Sequence, residues 1–254
     1  MTATRPRGRP PKYPPDVVRR RLLDAARESL SEAGVESGLD AVTLDGAVID
    51  ADVPRGMAYR IWQDEHLTPQ DALRRATILD LLSIPATAGL PATREVNDEL
   101  FGKSQAILES GTREERIALK REAIRVVGGF NYLALAESSN WKLYSALRTA
   151  AMTRPNVDPE IMRALIDGEN FLVEQYSSWY EEVTSALRME LRPGLKMEQF
   201  AAAAYAVNEG LALRVTDFPD REGIILPGDD GVEREWTLFS IAFEGLIDRF
   251  FELK

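Results

Sequence analysis

The chain has 254 residues, a formal net charge of −10, 44% hydrophobic and 28% charged residues, and no cysteine. It is long enough to bury a core in one large domain or two small ones. The missing cysteines exclude disulfides and thiolate metal sites, no apolar run approaches a membrane span, and the acidic balance disfavours nonspecific binding of polyanions by most of the surface.

The positive charge sits at one end. Residues 1–22 carry Arg5, Arg7, Arg9, Lys12, Arg19, Arg20 and Arg21 against Asp16 alone. Within "TRPRGRPPKYPP", residues 4–15, prolines follow the basic residues where a secretory signal would turn apolar, so no such signal is expected. Arg7-Gly8-Arg9-Pro10 matches the core of an AT-hook. Proline keeps such a segment extended, and Gly8 allows close approach to a groove floor. Arg7 and Arg9 could then lie in the narrow, strongly negative minor groove of A·T tracts. The alternative is a plain solvated basic tail.

The rest reads as helices, and the expected fold class is all-α. Leu22, Leu23, Ala26 and Leu30 give a first helix over about 16–33, followed by a loop at 34–40. Two short helices are predicted at about 43–50 and 54–61. Thr68-Pro69-Gln70-Asp71 starts a fourth that runs to about residue 82. "SIPATAGLPA", residues 83–92, breaks the pattern and marks the expected domain boundary. Further helices are predicted at about 93–110, 113–127, 138–153, 158–190, 196–216 and 233–252, with a capping box at Thr112–Glu115. Gly128-Gly129 is expected to interrupt the packing between two helices, Arg192-Pro193-Gly194 to close the longest one, and "FPDREGIILPGDD" (218–230) to form a loop. Functionally the chain divides into an arm at 1–14, a reader at 15–67 and a body at 68–254.

The stretch "VTLDGAVIDADVPRGMAYRIW", residues 42–62, has the pattern of a helix-turn-helix. Leu44, Ala47, Val48, Val53, Ala58 and Trp62 would face inward, and Arg55, Met57, Tyr59, Arg60 and Ile61 outward. Arginine offers a fork for guanine or phosphate, and a tyrosine hydroxyl can reach phosphate.

These residues resemble the tetracycline-repressor (TetR) family of bacterial transcription regulators. "RLLDAARESLSEAG" looks like that family's first helix, residues 38–43 like its loop into the second, and residues 53–62 like its recognition motif of Val-Ser-basic-Gly-Thr-Leu-Tyr-x-x-aromatic. The match covers about residues 15–85. The later layout agrees loosely, with a long helix, then "FAAAAYAVNEGLALR" and an amphipathic last helix. The resemblance implies an N-terminal three-helix DNA-binding domain, a larger helical ligand-binding and dimerisation domain, a palindromic DNA operator, a small-molecule effector of unknown identity, and repressor action as a homodimer. The DNA-contacting set is then Arg7, Arg9, Thr43, Arg55, Met57, Tyr59 and Arg60. Departures are Asp52 where a glycine is usual, Pro54 for a capping serine, Met57 and Ala58 for Thr and Leu, and a long acidic link, "QDEHLTPQD". Asp tolerates the left-handed backbone a glycine supplies, so the turn is expected to persist.

An enzyme is not expected. His66 is the one histidine, Gln63 stands where a Glu-x-x-His motif needs its glutamate, and Glu181 and Glu182 point apart on a helix. No metal, no cofactor and no membrane partner are expected, and the expected location is cytoplasmic, with the nucleoid. The body holds Tyr132, Trp141, Tyr144, Phe171, Tyr176 and Trp179. These read as helix-to-helix core or as the walls of the ligand chamber the resemblance implies, with Asn131, Asn140 and Asn170 as polar candidates to orient a ligand. Two apolar stripes, Met197 to Leu211 and Trp236 to Phe251, could serve a dimer interface as well as a core. The rival reading is a helical ligand-binding or scaffolding protein whose hairpin does not read DNA.

Overall fold

The computed structural model describes residues 13–33, 41–62, 66–83, 89–153, 157–214, 223–228 and 230–254. Residues 1–12 of the basic arm, with Arg7 and Arg9, the loop at 34–40, residues 63–65 of the acidic link and residues 84–88, 154–156, 215–222 and 229 lie outside that set. The described residues are mostly helical, so the fold class is all-α, with four short strands. Among them no helix is long and apolar enough to cross a membrane.

Two compact units are present, one formed by Met1–Ile84 with Ala146–Ala164 and the other by Pro85–Ser145 with Leu165–Lys254. In the first, α1 (Pro15–Ala33) packs on α2 (Leu44–Asp50), α3 (Arg55–Ile61) and α4 (Pro69–Ser83). The functional division at 67/68 groups α4 with the body, whereas the break in the helical pattern at residues 83–92 follows α4. The contacts join α4 to α1 and α2. Its Ala72, Leu73 and Thr77 are buried, and Asp80 takes ion pairs from Arg20 at 3.2 Å and Arg27 at 3.3 Å, both on α1. Residues 158 and 160 join the same unit through Arg75 of α4. Its Nε donates to Asp158 at 2.6 Å, and its Nη2 pairs with Glu160. The Arg75 hydrogen bond holds the Asp158 carboxyl below its ordinary range.

The second unit begins with α5 (Leu90–Lys103), α6 (Gln105–Ser110) and α7 (Arg113–Ala123). The capping box at Thr112 is present, with Glu115 N donating to Thr112 Oγ1 and Thr112 N donating to Glu115. Beyond α7 the helix end expected at about residue 127 does not occur. A π-helical turn, Ile124–Gly128, carries the backbone directly into α8 (Gly129–Glu137). Both glycines are buried, and a Cβ built on Gly128 would lie 3.6 Å from the rings of Phe239 and Phe243. Glycine serves close packing here, and tertiary contact overrides its poor helix propensity.

The chain continues through α9 (Ser139–Met152), α10 (Pro159–Ala186) and α11 (Met197–Ala212) to α12 (Leu238–Phe250). The long helix stops at Ala186, before Arg192-Pro193-Gly194, because Arg188 takes φ +55° and turns the chain. Strand β1 (Met189–Leu191) then pairs antiparallel with β4 (Phe251–Leu253), Met189 opposite Leu253. β2 (Ile224–Pro227) and β3 (Glu233–Trp236) form a hairpin where a loop and a helix start were expected. Strands of three and four residues are too short to show a period of two, so their pairing is a tertiary matter.

The core of this unit is aromatic. Phe200 of α11 meets Tyr180 at 4.9 Å, Phe243 at 5.7 Å and Phe251 at 4.9 Å between ring centroids. Phe239 stacks on Phe243 at 5.3 Å and on Tyr132 at 6.1 Å. The two stripes expected at an interface are therefore largely committed to their own interior. Met197, Phe200, Ala201, Ala204, Trp236, Phe239, Phe243, Ile247 and Phe251 are buried within this one chain.

Candidate nucleic-acid interface

The hairpin α2–α3 is built from local rules. Thr43 caps α2, its Oγ1 accepting from Gly46 N at 3.1 Å. The turn is closed by Asp52 N donating to Ile49 O at 3.2 Å and Val53 N to Val48 O at 3.3 Å. Asp52 has φ +49°, the left-handed backbone that few residues besides glycine, aspartate and asparagine adopt cheaply. Pro54 stands one place before the first helical residue and brings no capping side chain, and its carbonyl accepts from Met57 N at 2.8 Å.

A seven-residue helix such as α3 is marginal alone, so packing must hold it. Val53, Ala58 and Trp62 supply that packing on its inner side, with Leu44 and Ala47 of α2 beside them, all buried. The Arg19 guanidinium of α1 lies 4.4 Å from the Trp62 ring centroid. Gln70 of α4 locks the approach to α2 from both sides. Its Nε2 donates to Val42 O at 2.7 Å, and its Oε1 accepts from Leu44 N at 2.7 Å. The sequence offered no sign of that lock, because Gln70 lies 26 residues from Leu44.

On the outer side Arg55, Tyr59 and Arg60 are exposed, while Met57, Ile61 and Val48 are half-buried. Arg55 Nη2 pairs with Asp45 of α2 at 3.0 Å and donates to Tyr59 Oη at 3.3 Å. The Tyr59 hydrogen bond first, and the Asp45 charge second, hold the guanidinium above its already high ordinary pKa. Thr43 is exposed, with its hydroxyl engaged as the cap. Asp45 was not singled out from the sequence, where it reads as a first-turn acid of α2. His66 is exposed.

The ligand residues expected in the body are placed differently among the described residues. A cavity of about 50 Å³ lies in the second unit, and of the six only Trp179 lines it. Its walls are otherwise Ile124, Val127 and Gly128 of the π-turn with Tyr180, Phe200, Phe239 and Phe243, and its polar members include Asn97 and Asn131. Asn131 is buried and bonds to Tyr176, but its Oδ1 has no hydrogen-bond partner among the described residues. Tyr132 is buried against Phe239 and Tyr144 is also buried. Trp141 donates from Nε1 to Tyr205 Oη at 3.3 Å, and Tyr176 packs on Tyr205 at 5.9 Å. Phe171 is exposed, as are Asn140 and Asn170. Tyr176 also packs on Trp179, so part of the set is joined in the core while Phe171 is not, and the helical period alone cannot say which aromatic faces which neighbour.

No family model and no curated protein matches the chain. Among solved structures it is similar to a TetR-family transcriptional regulator from Rhodococcus sp., at 15% identity and a TM-score of 0.36 over 78% of this chain and 86% of that one. So distant a likeness carries no argument. The geometry itself defines the class, an all-α protein with a helix-turn-helix near its N-terminus.

Proposed function

We propose that this protein is a dimeric, ligand-responsive transcription regulator of the TetR type, a repressor that reads a palindromic operator through α2–α3 and works at the nucleoid. One observation carries the reading. The hairpin is pinned from behind by Gln70 and a buried Trp62, and it turns Arg55, Tyr59 and Arg60 to solvent on one short helix. A rigid hairpin with an outward cationic and phenolic edge suits major-groove docking with phosphate contacts on either side. The basic arm would add a minor-groove or phosphate contact through Arg7 and Arg9.

The dimer surface is best sought on the outward side of α11, where Ala202, Ala206 and Gly210 are exposed at successive turns, and at Gly245 of α12. The effector site is best sought in the cavity beside the π-turn, where Asn131 offers an acceptor among apolar walls.

The test is a gel shift of the full chain on genomic fragments at low and at raised salt. Sequence-selective retardation that weakens with salt is the expected result, and Arg60→Ala should weaken it by about 1–3 kcal/mol without changing the thermal midpoint. A chain that shifts no fragment at low salt would favour the rival reading of a helical ligand-binding protein.

A further inference from the structure

The ion pair on the hairpin does little for stability. The side chains of Arg55 and Asp45 keep 65% and 60% of their surface in water, and exposed pairs contribute little. What the pair does is fix a direction. Asp45 on α2 and the Tyr59 hydroxyl on α3 both take hydrogen bonds from the same terminal nitrogen, Nη2, and the guanidinium carbon sits 5.5 Å from the centroid of the Tyr59 ring. A freely rotating arginine has become an aimed one, with Nη1 and Nε bonded to nothing among the described residues.

We propose that Arg55 reads a guanine in the major groove and that Asp45 is the residue that positions it, so that one base of the target is set by the pair. This rests on the DNA-binding reading above. Guanine presents two acceptors, O6 and N7, on one edge, and the two terminal nitrogens of a guanidinium match them. Asp45 holds one Nη2 proton. Tyr59 holds the other at 3.3 Å, a long bond that is easily exchanged. On DNA the tyrosine hydroxyl turns to a phosphate oxygen, and the released Nη2 proton joins Nη1 as the fork.

The carboxylate decides between base and phosphate. An arginine meant for phosphate is weakened by a neighbouring negative charge. A base-reading arginine gains orientation from it, and nonspecific attraction falls at the same time. Asp45 therefore contributes by what it repels as well as by what it holds.

The experiment is selection of the full-length protein on a library of random DNA duplexes, followed by affinities for single-base variants of the enriched sequence. The wild type should enrich a two-fold related sequence with guanine at one symmetric position. Arg55→Ala and Arg55→Lys should flatten the preference at that position and leave the others, because a lysine has no fork. Asp45→Ala should cut discrimination for guanine by about ten-fold, while affinity for unenriched DNA holds or rises. Replacing that guanine by 7-deazaguanine, which lacks the N7 acceptor, should weaken the wild type by about ten-fold and leave Arg55→Ala unmoved. Unchanged thermal midpoints in Asp45→Ala and Asp45→Asn will show the fold intact.

A guanine preference that survives Asp45→Ala would overturn the positioning role. An Arg55→Ala variant that loses affinity uniformly over all sequences, with a shallower salt dependence, would make Arg55 a phosphate contact and overturn the proposal while leaving DNA binding in place. A wild type that enriches no sequence and binds no duplex at low salt would overturn the DNA-binding reading, and this inference with it.

Discussion

Tyr59 and Tyr176 show how differently the two units use one residue type. Tyr59 is 38% exposed on α3, its hydroxyl shared with Arg55. Tyr176 is 4% exposed on α10, against Trp179, Tyr180 and Tyr205, and burial pushes its pKa up to about 12. On the hairpin, polar groups face water and are arranged by short-range neighbours. In the second unit, polar groups are buried among rings and arranged by helices far apart in sequence. Change on the hairpin should therefore alter binding at little cost to stability, and change in the interior should do the reverse.

The sharpest test of that contrast is Phe243→Glu. The residue lies on a stripe that sequence suggests for an interface, yet its ring packs on Phe200, Phe239 and Tyr180. An unpaired carboxylate there should destabilise the chain by more than about 4 kcal/mol. Sedimentation and circular dichroism should find unfolded or aggregated protein, and a folded monomer would return Phe243 to an interface.

The alkaline limit comes next. Burial raises the pKa of Tyr176, Tyr180 and Tyr205 above the ordinary 10.0. The unfolded chain therefore releases these protons at lower pH than the folded one. The stability they contribute is complete below pH 10 and is lost as pH rises toward 12, the folded value for Tyr176. Urea unfolding followed across that window should show a falling midpoint. A midpoint that does not move would mean these hydroxyls reach water.

Gln70→Ala removes two of the bonds that tie α4 to the approach of α2 and leaves Arg74 Nε donating to Val42 O at 3.2 Å. It leaves the Leu44 N–H without that partner, so a loss of about 1–3 kcal/mol is expected, seen as faster amide exchange at Leu44. DNA affinity should fall with it. That makes Gln70 the exception which sharpens the comparison, a structural residue whose effect reaches the hairpin. Unchanged exchange would show that the helix holds without the lock.

The smallest effect has the opposite sign. Asp52 takes φ +49°, and Asp52→Gly should relieve up to about 1 kcal/mol of left-handed strain, offset in part by the greater freedom glycine gains on unfolding. A thermal midpoint that rises or holds supports this, and a clear fall would mean that the Asp52 side chain contributes a contact of its own.

Residues 42–62 were legible because each rule there acts over a few positions. A hydroxyl caps the helix that follows it, an aspartate tolerates the left-handed turn, and apolar residues at helical spacing mark the inner face. The exposed edge of Arg55, Tyr59 and Arg60 followed from the same spacing. Its partner Asp45 and the lock at Gln70 did not, since each acts on a residue in another element. The six aromatics of the body were legible as a class and not as a site. Period places a ring on one side of its own helix, but the neighbour it meets depends on how α8, α10, α11 and α12 are packed.

What the sequence by itself determined is the helical content, the helix-turn-helix and its turn, and the capping box at Thr112, because these depend on propensity and on hydrogen bonds a few residues long. Only the tertiary structure decided that the glycines at 128 and 129 lie inside a continuous helical run, that β1 finds β4, and that the two apolar stripes are spent on the chain's own core. Those outcomes are set by which surfaces exclude water together, and burial of that kind is a property of packed pairs of elements that no single segment carries.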